Sequence, residues 1–269
     1  MRFLFFVLVW IECHAQQTFI EVDSLSHFPN KTYESLGNYS CLLLGEMHGT
    51  AEAPLIVKSL ADIFSKHQQV IIALEIPDEN QQEINRYLKN GDETILQKVK
   101  FFTDTRDGRS SEAMARLIKS VYKKENIQLV CFDVSDYYSS NTYRDSLMAQ
   151  NILRIKKQNP EAVLISLSGN IHSNTKKGFR EGYQTMGYYL KKELGLTVIS
   201  LNILYQEGTA YNCVEGICKE RKMEPDNSQF KNFLRKTAFI LIDPAFEASG
   251  IHGIIYLKEV TASLPYIQF

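Results

Sequence analysis

The chain has 269 residues, 44% of them hydrophobic, and a formal net charge of −1. This length and composition describe one large globular unit with a sizeable core. The near-neutral balance, with no dense basic run, excludes a nucleic-acid surface, and neither a repeat nor a low-complexity segment points to a solenoid or a disordered chain.

The start of the chain reads as an address. Met1-Arg2 precedes an unbroken apolar run from Phe3 to Ile11, and Ala15 is followed by polar Gln16-Gln17. This pattern predicts a secretory signal peptide over 1–15, cut after Ala15. Residues 16–269 then form a single domain of a secreted or periplasmic protein, which is not an integral membrane protein after cleavage. Export permits disulfides. The spacing Cys213-Val-Glu-Gly-Ile-Cys218, around a Gly216 turn, predicts a bridge closing a hairpin-like loop, whereas Cys41 and Cys131 fall in apolar strands and read as buried thiols.

Residues 16–39 read as a polar lead-in. Strand one is expected at Cys41 to Gly45, followed by a loop, Thr50 as N-cap and a helix over Ala51–His67. Strand two is Val70 to Leu74, with Glu75 at its carboxyl end. Helices follow over Glu79–Lys89 and Glu93–Val99. Phe101 to Ser111, with Arg106, Asp107, Gly108 and Arg109, is a charged irregular stretch long enough to be a functional loop. A helix over Glu112–Lys124 leads to strand three, Ile127 to Phe132, which ends at Asp133. A long helix over Thr142–Gln158 stops at Asn159-Pro160. Strand four is Ala162 to Leu167, and Gly169-Asn170-Ile171-His172 follows it. Met186–Leu194 is a helix with Gly195 at its end, and strand five is Thr197 to Leu204. Beyond Gln206, short apolar runs at Thr209–Val214, Phe239–Ile242 and Gly253–Leu257 read as added antiparallel strands. The expected fold class is α/β, a mainly parallel sheet with helices on both faces and extra antiparallel strands toward the C-terminus.

In such a sheet the carboxyl ends of the strands share one edge, where ligands bind. Four successive strand ends bring Glu46 and His48, Glu75, Asp133, and Asn170 and His172 to that edge. Carboxylates beside strong apolar runs need a partner: a histidine, an arginine or a metal. Three chemistries fit. His48, His172, Glu46 and Glu75 form a mixed N/O set that suits zinc, manganese or iron, with a metal-bound water as nucleophile. Without a metal, one histidine is the general base for water and a glutamate orients it. In the third, the pocket holds a ligand and no reaction occurs. Arg144 in the long helix is a candidate carboxylate clamp or oxyanion stabiliser. Glu52, Arg109, Asp133, Asp145 and Asn170 are candidates for substrate contact, although Glu52 also suits the dipole of its own helix. Tyr137, Tyr138, Tyr143, Tyr188 and Tyr189 read as packing residues. No zincin helix, nucleophile elbow, dinucleotide fingerprint or P-loop appears.

Gly45-Glu46-Met47-His48-Gly49-Thr50-Ala51-Glu52 resembles the first motif of the erythromycin esterase family. Arg144-Asp145-Ser146-Leu147-Met148-Ala149-Gln150-Asn151 is similar to its arginine-bearing helix, and Asn170-Ile171-His172 with Met186-Gly187 and Leu190 to its later histidine motif. The likeness runs from Cys41 to Gly208. The wider superfamily includes ChaN-like haem-binding lipoproteins and Tiki metalloproteases. The esterase branch implies hydrolysis, with His48 as base and Glu46, Glu75, Arg144 and His172 in support. That branch usually carries a histidine where this chain has Gly169. The paired Gly-x-x-His motifs resemble those of the Tiki branch and imply a divalent metal. The ChaN branch implies haem held by tyrosines in place of turnover. Across the branches the expected partner is a small-molecule or peptide substrate.

Overall fold

The computed structural model describes residues 17–104, 107–135, 139–180, 182–225 and 237–267. The expected signal peptide over 1–15 lies outside the described residues, as do Arg106, Tyr137 and Tyr138. In order, the chain forms β1 (Thr18–Glu21), α1 (Lys31–Leu36), β2 (Cys41–Glu46), α2 (Glu52–Phe64), β3 (Val70–Pro77), α3 (Gln81–Asn90), α4 (Glu93–Leu96), α5 (Lys100–Asp104), α6 (Glu112–Val121), β4 (Ile127–Asp133), α7 (Asn141–Gln158), β5 (Val163–Gly169), α8 (Met186–Leu194), β6 (Val198–Val214), β7 (Ile217–Met223), β8 (Ala238–Ile242) and β9 (Gly253–Val260).

All these strands join one sheet in the order β1-β8-β9-β6-β2-β5-β3-β4, with β7 paired to β6. The run from β9 to β4 is parallel throughout. Alternation along each strand divides the core between the two faces. Leu42, Leu44, Ile72 and Leu74 pack on one face with α2, α3 and α6. Cys41, Leu43, Ile71 and Ala73 pack on the other with α7 and α8. Both faces are covered, so these strands are apolar on both sides, as in parallel sheets generally. Cys41 and Cys131 are buried in opposite layers and remain free thiols. Burial pushes the Cys41 thiol up to about 12.

The helix caps are local. Ser111, Ser140 and Thr185 accept from the amides of Met114, Tyr143 and Tyr188, each satisfying one orphan donor of a first turn. Thr50 does not have this role. It is buried, and Ala51 stands at the N-cap of α2 without a side-chain bond, while the Ala51 amide donates to Thr261 O at 2.8 Å. The chain's end thus occupies the place expected for the cap.

Three further expectations are corrected. The segment before Cys41 is part of the fold: Ile20, Val22, Phe28 and Leu36 are buried and β1 pairs with β8. β6 runs unbroken to Val214, so the run expected as an added strand over Thr209–Val214 is the second half of β6. β9 is parallel to β6 on one side and antiparallel to β8 on the other, while β1 and β7 pair antiparallel with β8 and β6. An apolar run shows that a strand is buried but not which neighbour it pairs with or in which direction, and tertiary packing selects both. The expected bridge is present: Cys213 and Cys218 face each other across the β6–β7 hairpin and form a disulfide. Among the described residues no helix is long and apolar enough to cross a membrane.

Candidate functional site

The carboxyl ends of β2, β3, β4 and β5 bring Glu46, Glu75, Asp133 and Gly169 side by side, with Glu46 in register with Gly169. Glu75 is the hub. Its Oε1 accepts from Arg144 Nη2 at 2.8 Å and Arg109 Nη1 at 3.1 Å, and its Oε2 from the Gly169 amide at 2.8 Å. Asp133 accepts from Arg144 Nε at 2.9 Å and Nη2 at 2.6 Å, a two-point grip that fixes the guanidinium plane. Arg109 adds a bond to Asp133 at 3.3 Å and is itself held by Asp107. Glu75 and Asp133 are nearly inaccessible, and two guanidiniums supply the donors that such burial demands.

Two carboxylate–imidazole pairs flank this hub. His48 Nδ1 lies 3.0 Å from Glu46 Oε1. His172 Nδ1 lies 2.9 and 3.0 Å from the two oxygens of Asp145. The Nε2 atoms of both rings turn toward Glu75, at 3.9 Å and 3.8 Å. Their remaining contacts differ. Arg144 Nη1 donates to His172 Nε2 at 3.2 Å. Arginine has no acceptor, so this contact assigns His172 as the tautomer with its proton on Nδ1, given to Asp145. His48 Nε2 has no hydrogen-bond partner among the described residues, and the His48 side chain is 27% exposed.

The electrostatics follow from burial against charge. Burial raises the Glu46 carboxyl above its ordinary value, only partly offset by the hydrogen bond from His48. Burial alone would also raise Glu75, but His48, His172, Arg109 and Arg144 overcome it and hold that carboxyl well below the usual range. Burial would lower His48. The hydrogen bond to Glu46 and the charges of Glu75 and Glu46 outweigh it, and the ring is more basic than an ordinary histidine. A cavity of about 520 Å³ opens beside Arg144 and His172, walled by Asn141, Thr142, Ile171, Arg180 and Tyr183.

No protein-family model matches the sequence, and no curated protein matches it. Solved structures do. A histidine-to-asparagine mutant of erythromycin esterase EreC, in its open conformation, superposes with a TM-score of 0.73 at 12% identity, over 94% of this chain and 100% of that one. The fold is that of erythromycin esterase. A succinoglycan biosynthesis protein has a TM-score of 0.72 at 11% identity, over 91% of this chain and 95% of that one. ChaN of Campylobacter jejuni, with cofacial haem, overlaps at a TM-score of 0.41 and 12% identity, over 71% of this chain and 89% of that one, too loosely to carry an argument.

On the esterase fold, Glu46, His48, Glu75, Arg109, Asp133, Arg144, Asp145 and His172 form one connected network. Asn170 lies at its edge: its amide donates to Glu46 O at 2.9 Å and its side chain is exposed. Glu52 is not brought to the network. It accepts from the amide of Thr261 at 3.0 Å and from its hydroxyl at 2.6 Å, tying the end of the chain to α2. Glycine at position 45 serves close packing, because a Cβ there would meet Ser173, Asn202 and the Asn170 backbone. Sequence reasoning missed Tyr183, whose hydroxyl donates to Asp145 at 3.1 Å, and named Asp107 within the expected functional loop without its role of holding Arg109. The Asp107-x-Arg109 spacing was the available signal for the second; a lone tyrosine in a loop offers none.

The proposed metal set does not fit this geometry. Among the described residues no group of three or more His, Cys, Asp or Glu side chains is arranged to hold a metal ion. The physical reason is the arginine pair: Glu75 already binds two guanidiniums, and His172 Nε2 faces a third donor from one of them. A divalent cation would have to displace fixed positive charge to reach those atoms.

Proposed function

We propose that this protein is an exported hydrolase that cleaves an ester or peptide bond with a water activated by His48. One observation carries this reading: of two carboxylate-oriented imidazoles, only His48 keeps Nε2 open while Glu46 holds Nδ1. That is the arrangement a general base needs. The esterase fold supports an ester as the first substrate class to test.

The reaction runs through this chain's own groups. Water donates its proton to His48 Nε2 as its oxygen attacks the substrate carbonyl carbon. The imidazolium formed keeps its Nδ1–H on Glu46 and faces the ionised Glu75. Arg144, held by Asp133 and Glu75 at the cavity wall, stabilises the negative charge that develops on the carbonyl oxygen. When the tetrahedral intermediate collapses, His48 returns the proton to the leaving oxygen or nitrogen. No observation among the described residues favours haem: the Tyr183 hydroxyl is engaged by Asp145, and Tyr143 stands exposed on α7.

The test is a panel of aryl esters, a macrolide lactone and a peptide, assayed with mature protein and with His48→Ala. The expected result is turnover on at least one ester, reduced by about 100-fold or more in the variant. Equal turnover in the two proteins, or none across the panel, would refute the proposal. Export is tested separately by the mass of protein recovered outside the cytoplasm, expected to begin at Gln16.

A further inference from the structure

The pairing of β6 with β9 ends at Gly208 and Val260. Past that pair, β7 is the only strand beside β6 among the described residues, so the hairpin leaves the sheet as a two-stranded ribbon. Such a ribbon is marginal by itself, and the Cys213–Cys218 bridge closes its end. Tyr211, two residues before the bridge, is packed against the site loops. Its amide donates to Gly49 O at 3.0 Å, which also accepts from the Ser263 amide at 2.9 Å. Its carbonyl oxygen lies against both Gly49 and Gly108: a Cβ on either would collide with it, and one on Gly108 would also lie 3.0 Å from Gly49 Cα. Both glycines have left-handed φ, +93° and +89°. Every partner in this joint is backbone, which cannot swing aside as a side chain would, so conformation and space both demand glycine. Gly49 follows His48 and Gly108 precedes Arg109. One carbonyl thus packs on the two loops that bring the open imidazole and Arg109 to Glu75.

We propose that the disulfide-closed β6–β7 hairpin is a positioning element for the site: the Tyr211 backbone, seated on Gly49 and Gly108, sets where His48 and Arg109 stand relative to Glu75. The catalytic meaning rests on the hydrolase reading; the geometry is testable without turnover. His48 Nδ1 is 3.0 Å from Glu46, and its Nε2 is 3.9 Å from Glu75, which Arg109 meets at 3.1 Å. When the Tyr211 joint opens, the His48 loop retreats from both carboxylates. The ring then loses the anions that favour its charged form, while burial and Arg109 still oppose that form. A base displaced by about 1 Å loses turnover without losing substrate affinity.

The experiment compares wild type with Gly108→Ala and with the double variant Cys213→Ser/Cys218→Ser, using His48→Ala to assign the His48 resonances. Gly195→Ala is the control: its φ of +65° is equally unsuited to alanine, but a Cβ there meets nothing within 4 Å. The titration midpoint of His48, followed by nitrogen NMR of the imidazole, is expected to move down by about 0.5 pH or more in Gly108→Ala, and in the same direction by less in the double variant. In Gly108→Ala kcat is expected to fall by about tenfold or more, with KM within about twofold. Gly195→Ala is expected to lower the thermal midpoint and to leave kcat and the His48 titration as in wild type. A His48 midpoint that stays in place or rises in Gly108→Ala overturns the proposal, whatever the turnover, and so does an equal downward shift in Gly195→Ala. A shift in Gly108→Ala with none in the double variant overturns the part given to the bridge. A downward shift in a protein that hydrolyses nothing upholds the positioning role and removes the hydrolase reading instead. Should Gly108→Ala not fold, the double variant decides: a lowered midpoint upholds the proposal, and an unmoved one overturns it.

Discussion

Arg144 Nη1 lies 3.2 Å from His172 Nε2, and this contact makes the two histidines of the site unequal. Arg144 is a donor only, so His172 spends its lone pair on the guanidinium and its proton on Asp145. His48 spends only one nitrogen, on Glu46. The base is thus expected to be His48, with His172 holding Arg144 in place. His172→Ala should therefore lower turnover less than His48→Ala. Steady-state kinetics of the two variants on one ester check this ordering.

The pH dependence follows from the direction of the His48 shift. Its folded-state pKa lies above the ordinary 6.5 because Glu46 and Glu75 outweigh burial. The base must be neutral, so kcat/KM is expected to rise with pH through a midpoint above 6.5. The stability this group contributes is fully present below its unfolded value and is lost as pH rises through the folded one. Glu46→Gln removes the charge that holds the ring protonated, and its pH–rate midpoint should move down. A midpoint identical to wild type would remove Glu46 from the orienting role.

Glu75 behaves with the opposite sign. Its folded pKa is held far below the ordinary 4.5 by His48, His172, Arg109 and Arg144, despite burial. It contributes stability that is complete above pH 4.5 and is lost only as pH falls through the depressed value. Urea unfolding as a function of pH is expected to show acid destabilisation below pH 4.5 in wild type that is weaker in Glu75→Gln.

Arg144→Leu leaves Asp133 and Glu75 buried with fewer donors. Breaking a buried ion pair from one side costs about 3–5 kcal/mol. Urea denaturation at neutral pH should show a loss of that order; a loss below about 1 kcal/mol would mean that Arg109 alone satisfies both carboxylates.

Glu52→Ala tests the tie between α2 and the end of the chain. The two bonds to Thr261 are exposed, so removal is expected to cost about 1 kcal/mol and to leave turnover unchanged. Thermal unfolding and ester kinetics on the same preparation check both parts.

Much of the fold was legible because its signals are local. Buried parallel strands are continuous apolar runs, so β2, β3, β4 and β5 are recognisable with their carboxyl-end residues Glu46, Glu75 and Asp133. Helix α8 and its Gly195 end coincide with expectation because capping acts over a few residues. The Cys213–Cys218 bridge was legible because its loop is short.

What sequence by itself determined was which residues meet at the sheet edge, since strand direction and pleat place Glu46, Glu75 and Asp133 there without further help. Only the tertiary structure decided what they do on meeting. It placed Arg109 and Arg144 on Glu75 where a metal was a plausible expectation, left His48 open and His172 occupied, and took Glu52 away to Thr261. Those outcomes depend on the approach of α7, the loop before α6 and the end of the chain. Such contacts span distant positions, and their hydrogen-bond geometry is settled within a few tenths of an ångström. Residue type and spacing carry no record of distances that fine.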